Sequence, residues 1–437
     1  MKSFRFDPTI FISPPYIKCP KCGKNSFGVL MINEDHYIRR CKECLFPRGN
    51  ETPIRFFLPK LNKKIIYIDQ FAISNMMKAI NPKTKSYQKG TLDAFWKKCF
   101  ERLDSLCKLQ LIVCPDSGFH TDESLLSPFF TPLKRMYELL SGGVSFCDPE
   151  TIKRFQLYHH AANWISGDKN KEINLDVDSV VRGNINAWQD RLFVSVNLNY
   201  GTDWIDELRK ARNKINKDLS NLFKKWQTEK DRTFNDWFEI ESMSFGRTTI
   251  ELYLSYLFQL EKISISNSKT IIDYRKIPYA TLLLLRSIKD AFLRAGMQEA
   301  NVTIKTVEYL LSPLLKDVPF IKISSMLYAA LARKAAAGRK KPPNQGMAND
   351  IEIISVLLPY CDAMFIDNEC YAYLKEKPLC DAIDHGTEIF SQNTKDEFLK
   401  YLDDIERITP KEHFDKISEV YGEKWKEPYT TLYTQQK

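Results

Sequence analysis

The strongest constraint on the fold is a set of short apolar runs separated by helical stretches. KIIYID (64–69), LQLIVCP (109–115), AMFID (363–367) and TEIFS (387–391) are bounded by polar residues, acids or Pro. Runs rich in apolar residues with little alternation are strands buried on both faces, the signature of a parallel sheet covered by helices. Between the first two, Leu92, Phe95, Trp96, Cys99, Leu103 and Leu106 recur at helical spacing, with Thr91 as the expected N-cap. Strand, helix, strand is the βαβ unit. Helical patterns over 321–337 and 349–360 precede AMFID, NECYAYLKE follows it, and 393–404 follows TEIFS. The expected class is α/β.

Residues 148–316 break this rhythm with long Trp- and Lys-rich helical stretches. The expected organisation is an N-terminal unit (1–58), the first half of an α/β domain (59–150), a helical insertion (151–317), and the second half with a C-terminal extension (318–437). Within the insertion, 209–232 carries nine basic residues and three acids alongside Leu219, Leu222, Phe223 and Trp226. This is either a solvated amphipathic helix or a phosphate-contacting face.

Four of the 11 cysteines form two C-x2-C pairs, Cys19/Cys22 and Cys41/Cys44, with 18 residues between them. Each pair turns two thiolates to one side, and the intervening length suits a hairpin, so a tetrahedral S4 site for structural Zn2+ is expected. The segment resembles a zinc ribbon, with GVLMI and HYIRR as its strands. Its basic residues, among them Lys18, Lys21, Lys24, Arg39, Arg40, Lys42 and Arg48, suit either nucleic acid or a docking neighbour. The first residues lack the apolar core of a signal peptide, and no run approaches a membrane span, so a cytoplasmic protein with no membrane partner is expected. The surplus of 64 basic over 55 acidic residues, a formal +9, points only weakly to a polyanionic partner.

Acids recur where strands end. Asp69 closes the first run, Asp116 and Glu123 follow the second, Asp350 opens the helix NDIEII, and Asp367 closes AMFID. Ligands of parallel sheets bind at the carboxyl ends of the strands. Carboxylates converging there repel one another unless a cation holds them, and hard oxygens select Mg2+ or Mn2+, the setting for phosphodiester hydrolysis. Singly, Asp69 or Asp367 also reads as a helix N-cap.

YID (67–69), P-x-S-x-x-H-x-x-E (115–123), ND-I (349–351) and DAMFIDNE (362–369) together resemble the PIN-domain nucleases, in a divergent PIN-like branch. The resemblance covers about residues 60–150 and 318–405. It implies a three-layer α/β/α domain and an endonuclease using Mg2+ or Mn2+ on RNA, with DNA to be tested beside it. The implied catalytic and metal-binding acids are Asp69, Glu123, Asp350 and Asp367, with Asp116 competing for the second place and Asp362 for the last. Gln70 and Phe71 follow the first acid where the family has a small polar residue, leaving Ser74 or Asn75 as substitutes. His120, Arg339 and Lys340 are the expected substrate contacts, the last two in a basic loop beside Asp350. Family habit adds a toxin or antiviral defence role and an inhibitor partner.

Two other readings compete. Arg154 and His159 spell the R-x4-H of metal-free HEPN ribonucleases, although Phe155 stands where a polar residue is usual; a surface His159-His160 pair is the plain alternative. A non-catalytic zinc-ribbon nucleic-acid-binding or scaffold protein would use the ribbon and basic helices, with the acids serving as caps.

Overall fold

The computed structural model describes residues 7–49, 51–167, 173–191, 201–265 and 277–434. The chain opens with an antiparallel sheet of β1 (Ser13–Lys18), β2 (Asn25–Ile32), β3 (His36–Cys41) and β4 (Arg55–Phe57). The expected ribbon strands are β2 and β3, paired with Val29 opposite Arg39 and Ile32 opposite Tyr37. Next come β5 (Lys64–Ile68), α1 (Gln70–Ile80), α2 (Lys85–Lys89), α3 (Phe95–Lys108), β6 (Ile112–Val113), α4 (Gly118–Leu125), α5 (Phe130–Ser141) and β7 (Ser145–Phe146). After α6 (Pro149–Ser166), β8 (Val181–Arg182) pairs with β7. The insertion continues as α7 (Thr202–Thr228), α8 (Phe234–Ile265), α9 (Tyr279–Arg294) and α10 (Glu299–Leu310). The chain then returns through α11 (Pro319–Ala336), α12 (Met347–Leu357), β9 (Ala363–Phe365), α13 (Asn368–Lys375), α14 (Leu379–Ala382), β10 (Glu388–Phe390), α15 (Lys395–Ile408) and α16 (Lys411–Tyr421).

The second sheet is parallel throughout, in the order β10-β9-β5-β6. Side chains alternate across a strand, and here both sides are buried. Ile65 and Tyr67 of β5 join Met364 and Ile366 in one core with α6, α11, α12 and the insertion, whereas Ile66, Ile68, Ala363 and Phe365 enter a second core with α1, α3 and α15. The sheet is thus covered by helices on both faces, which is why its strands read as apolar runs. The insertion is no separate body, because Trp226, Trp237 and Phe292 share the first core with Tyr67.

Two local expectations fail. The second run is a strand only over Ile112–Val113, because α3 extends to Lys108 and Gln110 then turns at φ +58°. Nor does Thr91 cap α3; that helix begins at Phe95, whose amide donates to Asp93 at 2.9 Å.

Strand order reverses between β5 and β9. From β5 the chain reaches β6 through helices in the second core, whereas from β9 it reaches β10 through α13, whose Cys370 and Tyr373 lie in the first core. Crossovers of one hand force this change of face when the strand order runs in opposite directions, and a crevice opens between the two carboxyl ends. Asp69 and Asp367 flank it.

The ribbon is fastened to the C-terminal helix. Arg39, 2% exposed, donates to the carbonyls of Pro15 (2.6 Å), Phe27 (3.1 Å) and Glu419 (3.0 Å), and Tyr37 donates to the Glu419 carboxylate at 2.6 Å. Arg39→Met keeps the stem but leaves three buried carbonyls short of a donor. It is predicted to cost about 3 kcal/mol and lower the thermal midpoint; an unchanged midpoint would mean that other contacts hold the ribbon.

Candidate functional site

In the ribbon, Cys19-x-x-Cys22 and Cys41-x-x-Cys44 form matching knuckles. Gly23 donates to the Cys19 carbonyl at 2.9 Å with φ +73°, and Leu45 donates to the Cys41 carbonyl at 3.0 Å with φ +57°. The turn brings all four Sγ atoms within 4.8 Å of one another, with Cys19 to Cys44 and Cys22 to Cys41 both at 3.7 Å. A tetrahedral S4 site with Zn–S near 2.3 Å has S–S edges of about 3.8 Å, so the thiols are spaced for structural zinc. Ser26 Oγ lies 3.0 Å from Cys41 Sγ, and the Cys44 amide donates to that sulfur at 3.4 Å, support that a metal-bound thiolate needs. His36 is held by Asp35 and Asn33 at the hairpin turn. Much of the ribbon's positive charge is already engaged: Lys21 pairs with Glu51, Lys24 with Glu43, and Arg39 is buried.

The second candidate site lies in the crevice between β5 and β9. Asp69 occupies the N-cap position of α1 but makes no capping bond with its side chain, and it is only 7% exposed. Burial, then repulsion from Glu123 and Asp367, raises its pKa from the ordinary 3.8 to about 8, against a smaller pull from the Gln70 and Phe71 amides. Asp350, in the first turn of α12, is likewise pushed well above the usual range by burial and by Asp69, Asp367 and Glu123. Burial also raises the Glu123 carboxyl, opposed by Arg212. Asp367 caps α13 by accepting from the Cys370 amide at 2.8 Å, while its other oxygen accepts from Asn344 at 3.3 Å. Oxygens of Asp350 and Asp367 and the Cys370 sulfur all lie within 4.8 Å of one another. The four acids named from the sequence therefore form one mutually repelling group.

Asp362 lies outside this group, and Asp116 is not among the leading charges that raise Asp69 or Asp350. Asp362 precedes β9, at the opposite end of the sheet, where it accepts from Lys64 at 2.6 Å and the Ile65 amide at 2.8 Å. Asp116 is repelled by Glu138 and bridges to Ser145 through its backbone.

Expected substrate contacts need correction. His120 is 2% exposed and stacked between Tyr67 and Tyr137, with Nε2 2.9 Å from the Ile68 carbonyl and Nδ1 3.3 Å from Ser117 Oγ. Burial lowers its pKa to about 4, so it is a neutral core residue that braces the end of β5. Arg339 is occupied by Glu369 (2.5 Å) and Tyr373 (2.6 Å). Lys340 is exposed, whereas the nearby Arg333 and Lys334 lie on α11 and pair with Glu376. Phe71 packs on Trp96 and Phe365, which explains an aromatic residue so soon after Asp69. Of the HEPN-like pair, Arg154 bonds its own helix at Glu150 and Thr151, and His159 packs on Phe155.

Sequence reasoning missed the groups that hold the cluster. Glu123 Oε1 accepts from Arg212 Nη2 of α7 at 2.8 Å and from Asn349 Nδ2 at 2.7 Å. Arg212 lies seven, eleven and fourteen residues before Leu219, Phe223 and Trp226, on the buried stripe of α7. A cation on an apolar stripe was the available signal. Lys214, Lys217 and Lys224 are exposed on the other side, the solvated-face reading of this helix.

No helix among the described residues is long and apolar enough to cross a membrane. Comparison with known proteins found no matching family model, no similar curated protein and no matching solved structure.

Purified protein is predicted to carry one zinc per chain, and Cys41→Ser should lose it together with thermal stability; metal analysis finding none would refute the thiolate site. For Asp69, the folded carboxyl holds its proton up to about pH 8, whereas the unfolded one releases it near 3.8. Folding therefore binds a proton in that window, and stability falls as pH rises through it. With no Mg2+ or Mn2+ added and the thiolate site left undisturbed, the thermal midpoint should drop between pH 5 and 8, and Asp69→Asn should flatten the slope; identical slopes would contradict the burial of this charge.

Proposed function

We propose that this chain is a PIN-like, metal-dependent endonuclease with RNA as substrate. One observation carries the reading: Asp69, Glu123, Asp350 and Asp367, distant in sequence, converge at the carboxyl ends of β5 and β9 where strand order reverses. Buried carboxylates held this close to one another are costly unless a cation offsets their charge, and an oxygen-rich set suits Mg2+ or Mn2+. Asp350 and Asp367 would hold the ion, with Asp69 and Glu123 completing the negative pocket. When bound, such an ion lowers the pKa of water and offsets charge building on phosphate.

The chain's own groups have separable tasks. Asp69, made more basic by burial and by neighbouring like charge, would in its ionised form take the proton of an attacking water. Arg212 and Asn349 orient Glu123 by sharing one of its oxygens, leaving the other for the pocket. Lys340, which is exposed, would meet a phosphate, whereas Arg339 must first leave Glu369.

A scaffold role is favoured by Asp367, which caps α13 as a purely structural aspartate would. The experiment that separates the readings uses labelled single-stranded RNA and, in parallel, DNA, with Mn2+ or Mg2+. Asp350→Asn is predicted to lower cleavage by at least about 100-fold while leaving RNA binding intact. Absence of cleavage by the unaltered protein with every divalent metal would leave only the scaffold.

A further inference from the structure

A cleft of about 930 Å³ lies at the opposite end of the parallel sheet from the acid cluster. Lys63, in its wall, immediately precedes β5, whereas Asp69 follows it. Six residue steps along that strand separate the two by about 20 Å. The volume falls in the range of small-molecule sites.

Two features of the wall, Lys63 and Trp425, call for different parts of one ligand. Lys63 is 5% exposed, and its ammonium donates to the neutral carbonyl of Ala187 at 2.7 Å. Burial lowers its pKa to about 8, and no carboxylate contributes to its electrostatics. Near neutral pH it therefore remains mainly a buried cation whose natural complement is an anion. Asp104, 1% exposed, accepts at Oδ2 from Lys108 (2.9 Å) and the Tyr429 amide (2.6 Å), while its buried Oδ1 has no partner among the described residues. That oxygen has no exposed surface, so it lies unpaired behind the cleft wall rather than open to a ligand. Trp425, half-buried, gives the cleft a flat aromatic side, its indole N–H fixed on the Lys108 carbonyl at 3.0 Å.

We propose that this cleft binds a nucleotide: the phosphate meets Lys63, and the base lies against Trp425. The site is separate from the acid cluster and does not depend on the nuclease reading.

Isothermal titration calorimetry on the full chain, with AMP, GMP, their nucleosides and inorganic phosphate, tests it. AMP or GMP should bind, each more tightly than its nucleoside or phosphate alone. Lys63→Met should weaken binding about 10- to 100-fold by removing a charge-assisted contact. Trp425→Leu, at a less buried position, should weaken it as well and serves if Lys63→Met fails to fold. Asp69→Asn, at the other end of β5, should bind like the unaltered protein. The proposal is overturned if neither nucleotide binds at about 1 mM, if phosphate binds as tightly as the nucleotides, or if Asp69→Asn abolishes binding that Trp425→Leu retains.

Discussion

The structure around the crevice depends on one electrostatic conflict. Asp69, Glu123, Asp350 and Asp367 meet in a buried space where each raises the energy of its neighbours' charges, and burial together with that repulsion moves the pKa of Asp69 from 3.8 to about 8. The rest of the domain maintains that arrangement. Parallel strands fix Asp69 and Asp367 on either side of the reversal, two separate cores hold the sheet rigid from both faces, and the insertion sends Arg212 to Glu123. A protein that keeps such repulsion in its interior forgoes stability there, a pattern typical of sites rather than of cores.

The insertion therefore has a positional role. α7 presents Arg212 to the cluster, and near its other end Gln227 donates to the Arg339 carbonyl at 2.7 Å, so this helix joins the acids to the basic loop. Its exposed lysines face away, which makes α7 a brace first and a charged surface second. The four-cysteine ribbon acts similarly at the chain start: it is fastened to α16 through Arg39, and its thiol spacing would let one structural ion such as zinc replace the large core that so small a unit lacks.

Much of this was legible in the sequence because burial on both faces leaves a distinctive mark. Apolar runs of the KIIYID kind located β5, β9 and β10, and the acids closing β5 and β9 proved to share one crevice. Legibility failed where one residue type serves two physical roles. His120 sits in a motif that reads as chemistry, yet stacking between Tyr67 and Tyr137 makes it core. Asp362 and Asp367 are both acids beside one strand, but only their placement at opposite ends separates a clasp on Lys64 from a member of the cluster. Arg339 carries a charge that sequence alone assigns to a substrate, and Glu369 claims it first. Arg212 comes from more than eighty residues beyond Glu123, a contact that no local pattern announces.

The central claim is that these four carboxylates are arranged to hold a divalent cation. Anomalous diffraction from crystals soaked in Mn2+ tests it most directly. The account predicts a manganese peak in the crevice, bound by Asp350 and Asp367 with Asp69 and Glu123 facing it. Crystals that diffract well and show no manganese among these residues, or manganese only at the protein surface, would contradict it.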